Sequence, residues 1–179
     1  MTSKTLGGAG HRVLAVDVRP HKLGFAVIES PARLLDFGIT RFDSPHTCLD
    51  RVTTLIRRFG PTIVVLRKIR RRSTRDHPLT RALLRLISRL AGHSSIEIAV
   101  VGDRQVKISL GGGHRTFTRY QAAMLLARAF PELGWKVPRP RKPWQPESWN
   151  MLIFDAVALA VSYLASQSDE SIIHKLSIC

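Results

Sequence analysis

The sequence predicts an α/β fold in which a mixed five-stranded sheet, three antiparallel strands followed by parallel ones, is flanked by helices. Three observations carry that expectation. Three apolar, β-branched runs follow one another within the first quarter of the chain, joined by connections too short for parallel crossovers. Two further short apolar runs each come directly after a segment of helical periodicity, as a parallel connection requires. A long apolar helix then closes the pattern.

The first strand is read over His11–Asp17 and the second over Leu23–Ser30, with the basic, Pro-containing turn Val18–Lys22 between them. The third runs Arg33–Phe42, after the hairpin-type connection Ser30-Pro31-Ala32. Leu49, Val52, Leu55, Ile56 and Phe59 recur at helical spacing over Thr47–Phe59, and Gly60-Pro61 stops that helix. Thr62–Leu66 is the continuous apolar run expected of a strand buried on both faces. From Leu79 to Leu90 one face carries Leu79, Leu83, Leu86, Ile87 and Leu90, and Gly92 ends the helix. Ile96–Val101 is the fifth strand. Gly102–Lys107 follows, then Leu110–Arg115, whose glycine triplet Gly111-Gly112-Gly113 reads as a flexible turn that brings Lys107, His114 and Arg115 near a backbone phosphate. Thr116 or Thr118 caps a helix holding Tyr120, Ala123, Met124, Ala127 and Phe130, which ends before Pro131. Glu147–Ala165 is the last helix.

Leu133–Pro146 interleaves Pro138, Pro140, Pro143 and Pro146 with Lys136, Arg139, Arg141, Lys142, Trp135 and Trp144, which excludes a regular helix or central strand. Its rings and cations suit bases and phosphates. A strap whose tryptophans pack on the body, or dock a protein partner, fits the same composition.

With 179 residues the chain suits one core. We read residues 1–10 as a flexible leader, 11–165 as a single domain and 166–179 as a polar tail. No apolar run approaches the roughly 20 residues that span a bilayer, so no membrane association is expected. Cys48 and Cys179 are too few for a disulfide framework or zinc site and fit a reducing, cytoplasmic compartment.

Charge is the strongest compositional signal. Against 13 acidic residues stand 28 Lys and Arg, a net +15 whose self-repulsion a polyanion would relieve. Nucleic acid, DNA or RNA, structured or branched, is therefore the expected partner. Six of the nine residues from Arg67 to Arg75 are basic, and Arg81, Arg85 and Arg89 continue the charge as a stripe on the second helix. The expected binding residues are Lys68, Arg70, Arg71, Arg72, Arg75, Arg81, Arg85, Arg89, Lys107 and Arg115. The seven histidines lack metal-ligand spacing, and only His21, in the turn after Asp17, stands near a candidate acid.

The order of elements resembles the ribonuclease H-like arrangement. Within it, four short motifs resemble RuvC-type Holliday-junction resolvases: Asp17 with Gly24-Phe25-Ala26-Val27-Ile28; Pro61 with Ile63-Val64-Val65-Leu66; Gln105-Val106-Lys107 with the glycines and Tyr120-Gln121; and Asp155-Ala156-Val157-Ala158-Leu159-Ala160. The likeness spans about Arg12 to Leu164. It implies a homodimer and a Mg- or Mn-dependent cut by two metals held between about four carboxylates. Two of the implied acidic positions are replaced, by Arg67 and Leu152. A guanidinium there removes a ligand and repels the cation. Asp17 and Asp155 remain as catalytic and metal residues if the site is active, with Asp103 and Glu147 as recruits; Asp103-Arg104 resembles a strand-end motif of YqgF-type nucleases. The favoured expectation is a degenerate site in which Arg67 bridges Asp17 and Asp155. The alternatives are an active endonuclease with a rearranged acid set, and a scaffold subunit of a nucleoprotein assembly, with Trp135 and Trp144 as its docking residues.

Overall fold

A computed structural model describes residues 11–30, 32–69, 77–112, 116–142 and 144–167. The expected leader, most of the tail, and Arg70, Arg71, Arg72, Arg75, His114 and Arg115 lie outside the described residues.

The sheet is built of β1 (Arg12–Arg19), β2 (Lys22–Glu29), β3 (Arg33–Arg41), β4 (Ile63–Arg67) and β5 (Glu97–Val101), in the order β3-β2-β1-β4-β5. β1 and β2 pair antiparallel, as do β2 and β3, while β4 runs parallel to β1 and β5 parallel to β4. This is the mixed five-stranded α/β sheet expected. β1 lies at its centre and is buried on both faces, which is why its apolar run does not alternate with polar residues.

Period-two alternation splits β1 between two cores. Leu14, Val16 and Val18 pack with α1 (Pro45–Phe59) and α2 (Pro78–His93), while Val13 and Ala15 pack with α3 (Asp103–Gly111), α4 (Arg119–Ala129) and α5 (Met151–Ser166). α1 starts at the Ser44 cap, whose side chain accepts from the Thr47 amide, and ends at Gly60, whose φ of 53° lies in the left-handed region that glycine tolerates. Among the described residues, no helix is long and apolar enough to cross a membrane.

Four expectations need correction. The segment after β5, for which the sequence pattern predicts no element, is a helix, α3, that runs into the glycines: Val106 and Leu110 sit one turn apart and pack on the core, and Gly112 in the left-handed conformation closes the end. α2 runs through Gly92 to His93, because one exposed glycine near a helix end costs little. α5 begins at Met151, so Glu147 lies in the preceding segment. Pro131–Lys136 forms a 3₁₀ turn that buries Leu133, while Trp135 and Trp144 are 74% and 76% exposed and do not pack on the body.

Gly24 explains its own place in the first motif. It sits opposite Asp17 across β1 and β2, and a Cβ there would lie 2.6 Å from both Cγ and the carbonyl oxygen of Leu152 on α5. The backbone oxygen cannot rotate away. Gly24→Ala should therefore destabilise the fold by about 1–3 kcal/mol through overpacking, read as a lower urea midpoint with unchanged slope. An unaltered midpoint would show that α5 yields freely.

Candidate functional site

The same alternation that divides the core also positions the charged residues. Asp17 and Arg19 follow Val13 and Ala15 on the α5 face of β1, and Arg67 follows Ile63 and Val65 on that face of β4. The β1–β4 register pairs Val16 with Leu66, so one step further Asp17 and Arg67 are neighbours at the ends of adjacent parallel strands. Asp155, in the second turn of α5, lies over them. Asp17, Arg67 and Asp155 are 1%, 9% and 6% exposed.

Arg67 is the hub. Its Nε donates to Asp17 Oδ2 at 3.1 Å, its Nη2 lies 3.4 Å from Asp155 Oδ1, and its Nη1 donates to Asp103 Oδ1. The bridge expected between Asp17 and Asp155 is present, and it extends to a third acid at the start of α3. Two further arginines join. Arg19 Nη2 donates to Asp17 Oδ2 at 3.2 Å and to Asp155 Oδ2 at 2.9 Å. Arg119 donates from Nε to Asp155 Oδ1 at 3.0 Å, from Nη2 to Asp155 Oδ2, and from Nη1 to Glu147 Oε1. That last guanidinium is held at the first residue of α4, where Thr118 and Gln121 form a reciprocal capping box. All four candidate acids thus converge, but through arginines.

Electrostatics follow from this geometry. Burial alone would push the Asp155 carboxyl up, yet the guanidiniums of Arg119, Arg67 and Arg19 outweigh it and hold the group below the ordinary carboxylate range. Burial likewise works against the charged forms of Arg67 and Arg119, and their carboxylate partners more than offset it. A carboxylate held that low is a poor general base at neutral pH. Cys48 is buried, and burial raises its thiol to about 11, far from a nucleophile's range. Among the described residues, no three His, Cys, Asp or Glu side chains are grouped to hold one ion.

The other expected residues distribute unevenly. An open cleft of about 510 Å³ is lined by Arg67, Asp103, Lys107, Phe117, Arg119 and Asp155, so Lys107 does sit beside the cluster. Exposed Lys68 lines a neighbouring hollow with Asp103 and Arg104. Arg81, Arg85 and Arg89 are exposed on α2, which packs on the opposite face of the sheet from the cluster. His21 has a φ of 60° and its ring lies 6.4 Å from that of Phe42. Leu152 packs against Gly24.

Arg19 and Arg119 are not among the site residues expected from the sequence. Arg19 was legible, since two residues beyond Asp17 on a strand is the same face. Nothing local marks Arg119, which meets Asp155 across 36 positions of sequence.

No family model matches the sequence, and no curated protein matches it. Solved structures do. Thermus thermophilus RuvC superposes with a TM-score of 0.66 at 20% identity, over 88% of this chain and 97% of that one. T. thermophilus RuvC in complex with a Holliday junction substrate gives 0.67 at 19% identity, over 90% and 97%. The yeast mitochondrial Holliday junction resolvase gives 0.61 at 11% identity, over 93% and 82%. Sheet order, the placement of the helices and these superpositions together identify the architecture: the chain has a ribonuclease H-like, RuvC-type resolvase fold.

Proposed function

We propose that this protein binds structured or branched DNA or RNA through its basic surface and does not cut it. The observation that carries the reading is the set of three arginines inserted among the four carboxylates. Two hard cations need free carboxylate oxygens at short range. Here both oxygens of Asp155 accept from guanidiniums, and Asp17 Oδ2 is shared between Arg19 and Arg67. Arginine does not deprotonate to make room, so an incoming cation would meet three fixed positive charges. The residues present do not fit a metal pair, and the cluster acts as a structural ion-pair network at the end of the central strands. Binding itself is supported by the net charge of +15 and by neighbours of the same fold solved on a Holliday junction.

The test pairs cleavage with salt dependence. Four-way DNA junctions and structured RNA are incubated with the protein and with Asp17→Asn in Mg²⁺ or Mn²⁺, and binding is measured across a salt series. Neither protein should produce nicks. Affinity should fall about 10³- to 10⁵-fold between roughly 50 and 200 mM salt if six to ten phosphates are contacted. Metal-dependent cleavage that disappears in Asp17→Asn would instead establish an endonuclease using Asp17 and Asp155 with Asp103 or Glu147. Salt-insensitive binding would remove the basic surface as its source.

A further inference from the structure

We infer that the strap between α4 and α5 is a stacking platform for unpaired nucleotides, with Trp135 and Trp144 receiving base faces and Lys136, Arg139, Arg141 and Lys142 receiving phosphates. This rests on the nucleic-acid-binding reading and specifies the substrate class.

The strap's backbone is fastened while its largest side chains are turned out. Leu133 and Pro138 are buried, Asn150 Nδ2 donates to the Lys136 carbonyl at 3.0 Å, and the Val137 amide donates to Gly134 at 3.3 Å. Around Trp144, the Lys142 amide donates to Gln145 Oε1 at 2.9 Å and the Arg141 guanidinium to the Gln145 carbonyl at 2.6 Å. With the backbone held this way, the two rings stand three-quarters exposed, each offering a flat apolar face to a ligand.

Each ring carries its own cation. Lys136 Nζ stands 3.8 Å from the Trp135 ring centre and Lys142 Nζ 5.4 Å from that of Trp144. An ammonium over a solvent-exposed ring is held weakly, so a base can displace it and leave the lysine beside the phosphate of the same nucleotide. Between α4 and α5 stand four cations and two acids, Glu132 and Glu147, of which Glu147 is paired with Arg119; Leu133–Pro146, which holds both rings, carries the four cations alone, which favours a polyanion over a neutral or basic partner. Prolines at 138 and 140 limit the backbone freedom that binding would otherwise have to remove. An open cleft of about 820 Å³ lined by Arg139, Arg141, Gln145, Thr118, Arg119 and the Arg119-paired Glu147 carries the surface toward the arginine–carboxylate cluster. The nucleotides must be unpaired because bases within a duplex already stack on each other and offer no free faces; only single-stranded segments, loops and branch points do.

The test uses the full chain with fluorescein-labelled oligothymidylate and a blunt duplex of equal length, reading anisotropy and tryptophan emission. Oligothymidylate should quench the emission. Trp135→Ala and Trp144→Ala should each weaken oligothymidylate binding about 5- to 150-fold and leave duplex binding unchanged. Trp→Phe at either position should recover most of the loss, and the thermal melts should overlay the wild type because both rings are exposed. The proposal is overturned if the alanine variants bind oligothymidylate like the wild type, or if they lose duplex affinity equally. It is also overturned if polyglutamate binds as tightly and shows the same dependence on the tryptophans, which would make the strap a dock for an acidic protein. A four-way junction is included as the third ligand: if the wild type binds it but not oligothymidylate, the proposal is overturned and the nucleic-acid reading stands, and if it binds none of the three, that reading fails as well; equal losses on oligothymidylate and duplex also leave it standing.

Discussion

Replacing Arg67 with alanine should cost about 3–5 kcal/mol of stability, the range expected when one partner of a buried ion pair is removed. The side chain lies at the junction of three elements, reaching Asp17 on β1, Asp155 on α5 and Asp103 at the start of α3. Its loss leaves Asp17 and Asp155 almost fully buried, with Arg19 still paired to both and Arg119 to Asp155. Arg67→Lys should recover little, because one ammonium cannot present three separate donors to three carboxylates as a planar guanidinium does. Denaturant unfolding monitored by circular dichroism measures the change. A loss below about 1 kcal/mol would place the cluster with ordinary surface pairs and remove its structural role.

Asp155 should make the protein acid-sensitive in a definable direction. Its folded carboxyl is held below the usual range, despite burial, by Arg119, Arg67 and Arg19. A group whose folded pKa is depressed stabilises the fold at every pH above its unfolded value, about 3.9 for aspartate, and that contribution is lost as pH falls from there through the folded value. The melting temperature should therefore be flat in this respect near neutrality and fall on the acid side of about pH 4. Asp155→Asn should cost about 3–5 kcal/mol at neutral pH by leaving buried guanidiniums undercompensated, and should flatten the acid limb. An identical acid limb in both proteins would show that Asp155 does not carry it. The arginines contribute nothing to this profile, since they stay protonated throughout.

The two sides of the cluster differ in how they were written into the chain. Asp17, Gly24 and Asp155 were readable because each sits in a regular element with a strong apolar pattern, and such patterns report burial directly. Arg67 was readable as a basic residue at the end of an apolar strand, and its bridge between Asp17 and Asp155 follows from the packing of β1, β4 and α5. α3 was missed because its glycine-rich end and mixed face masked two inward apolar positions, Val106 and Leu110. The composition of the Trp135 and Trp144 strap is compatible with either packing or display; its fastening points, Leu133, Pro138 and Asn150, decide for display.

By itself, the sequence determined the order of the five strands, every α-helix but α3, and the excess of positive charge, because periodicity and composition act locally. Only the tertiary structure decided that Arg19, Arg67 and Arg119 converge on Asp17, Asp103, Glu147 and Asp155, and that the basic stripe of α2 lies on the other face of the sheet. Charged side chains from separate elements carry no shared local pattern; which of them meet is set by the register of β1 on β4 and by the seating of α5, where burying a carboxylate requires a cation within reach.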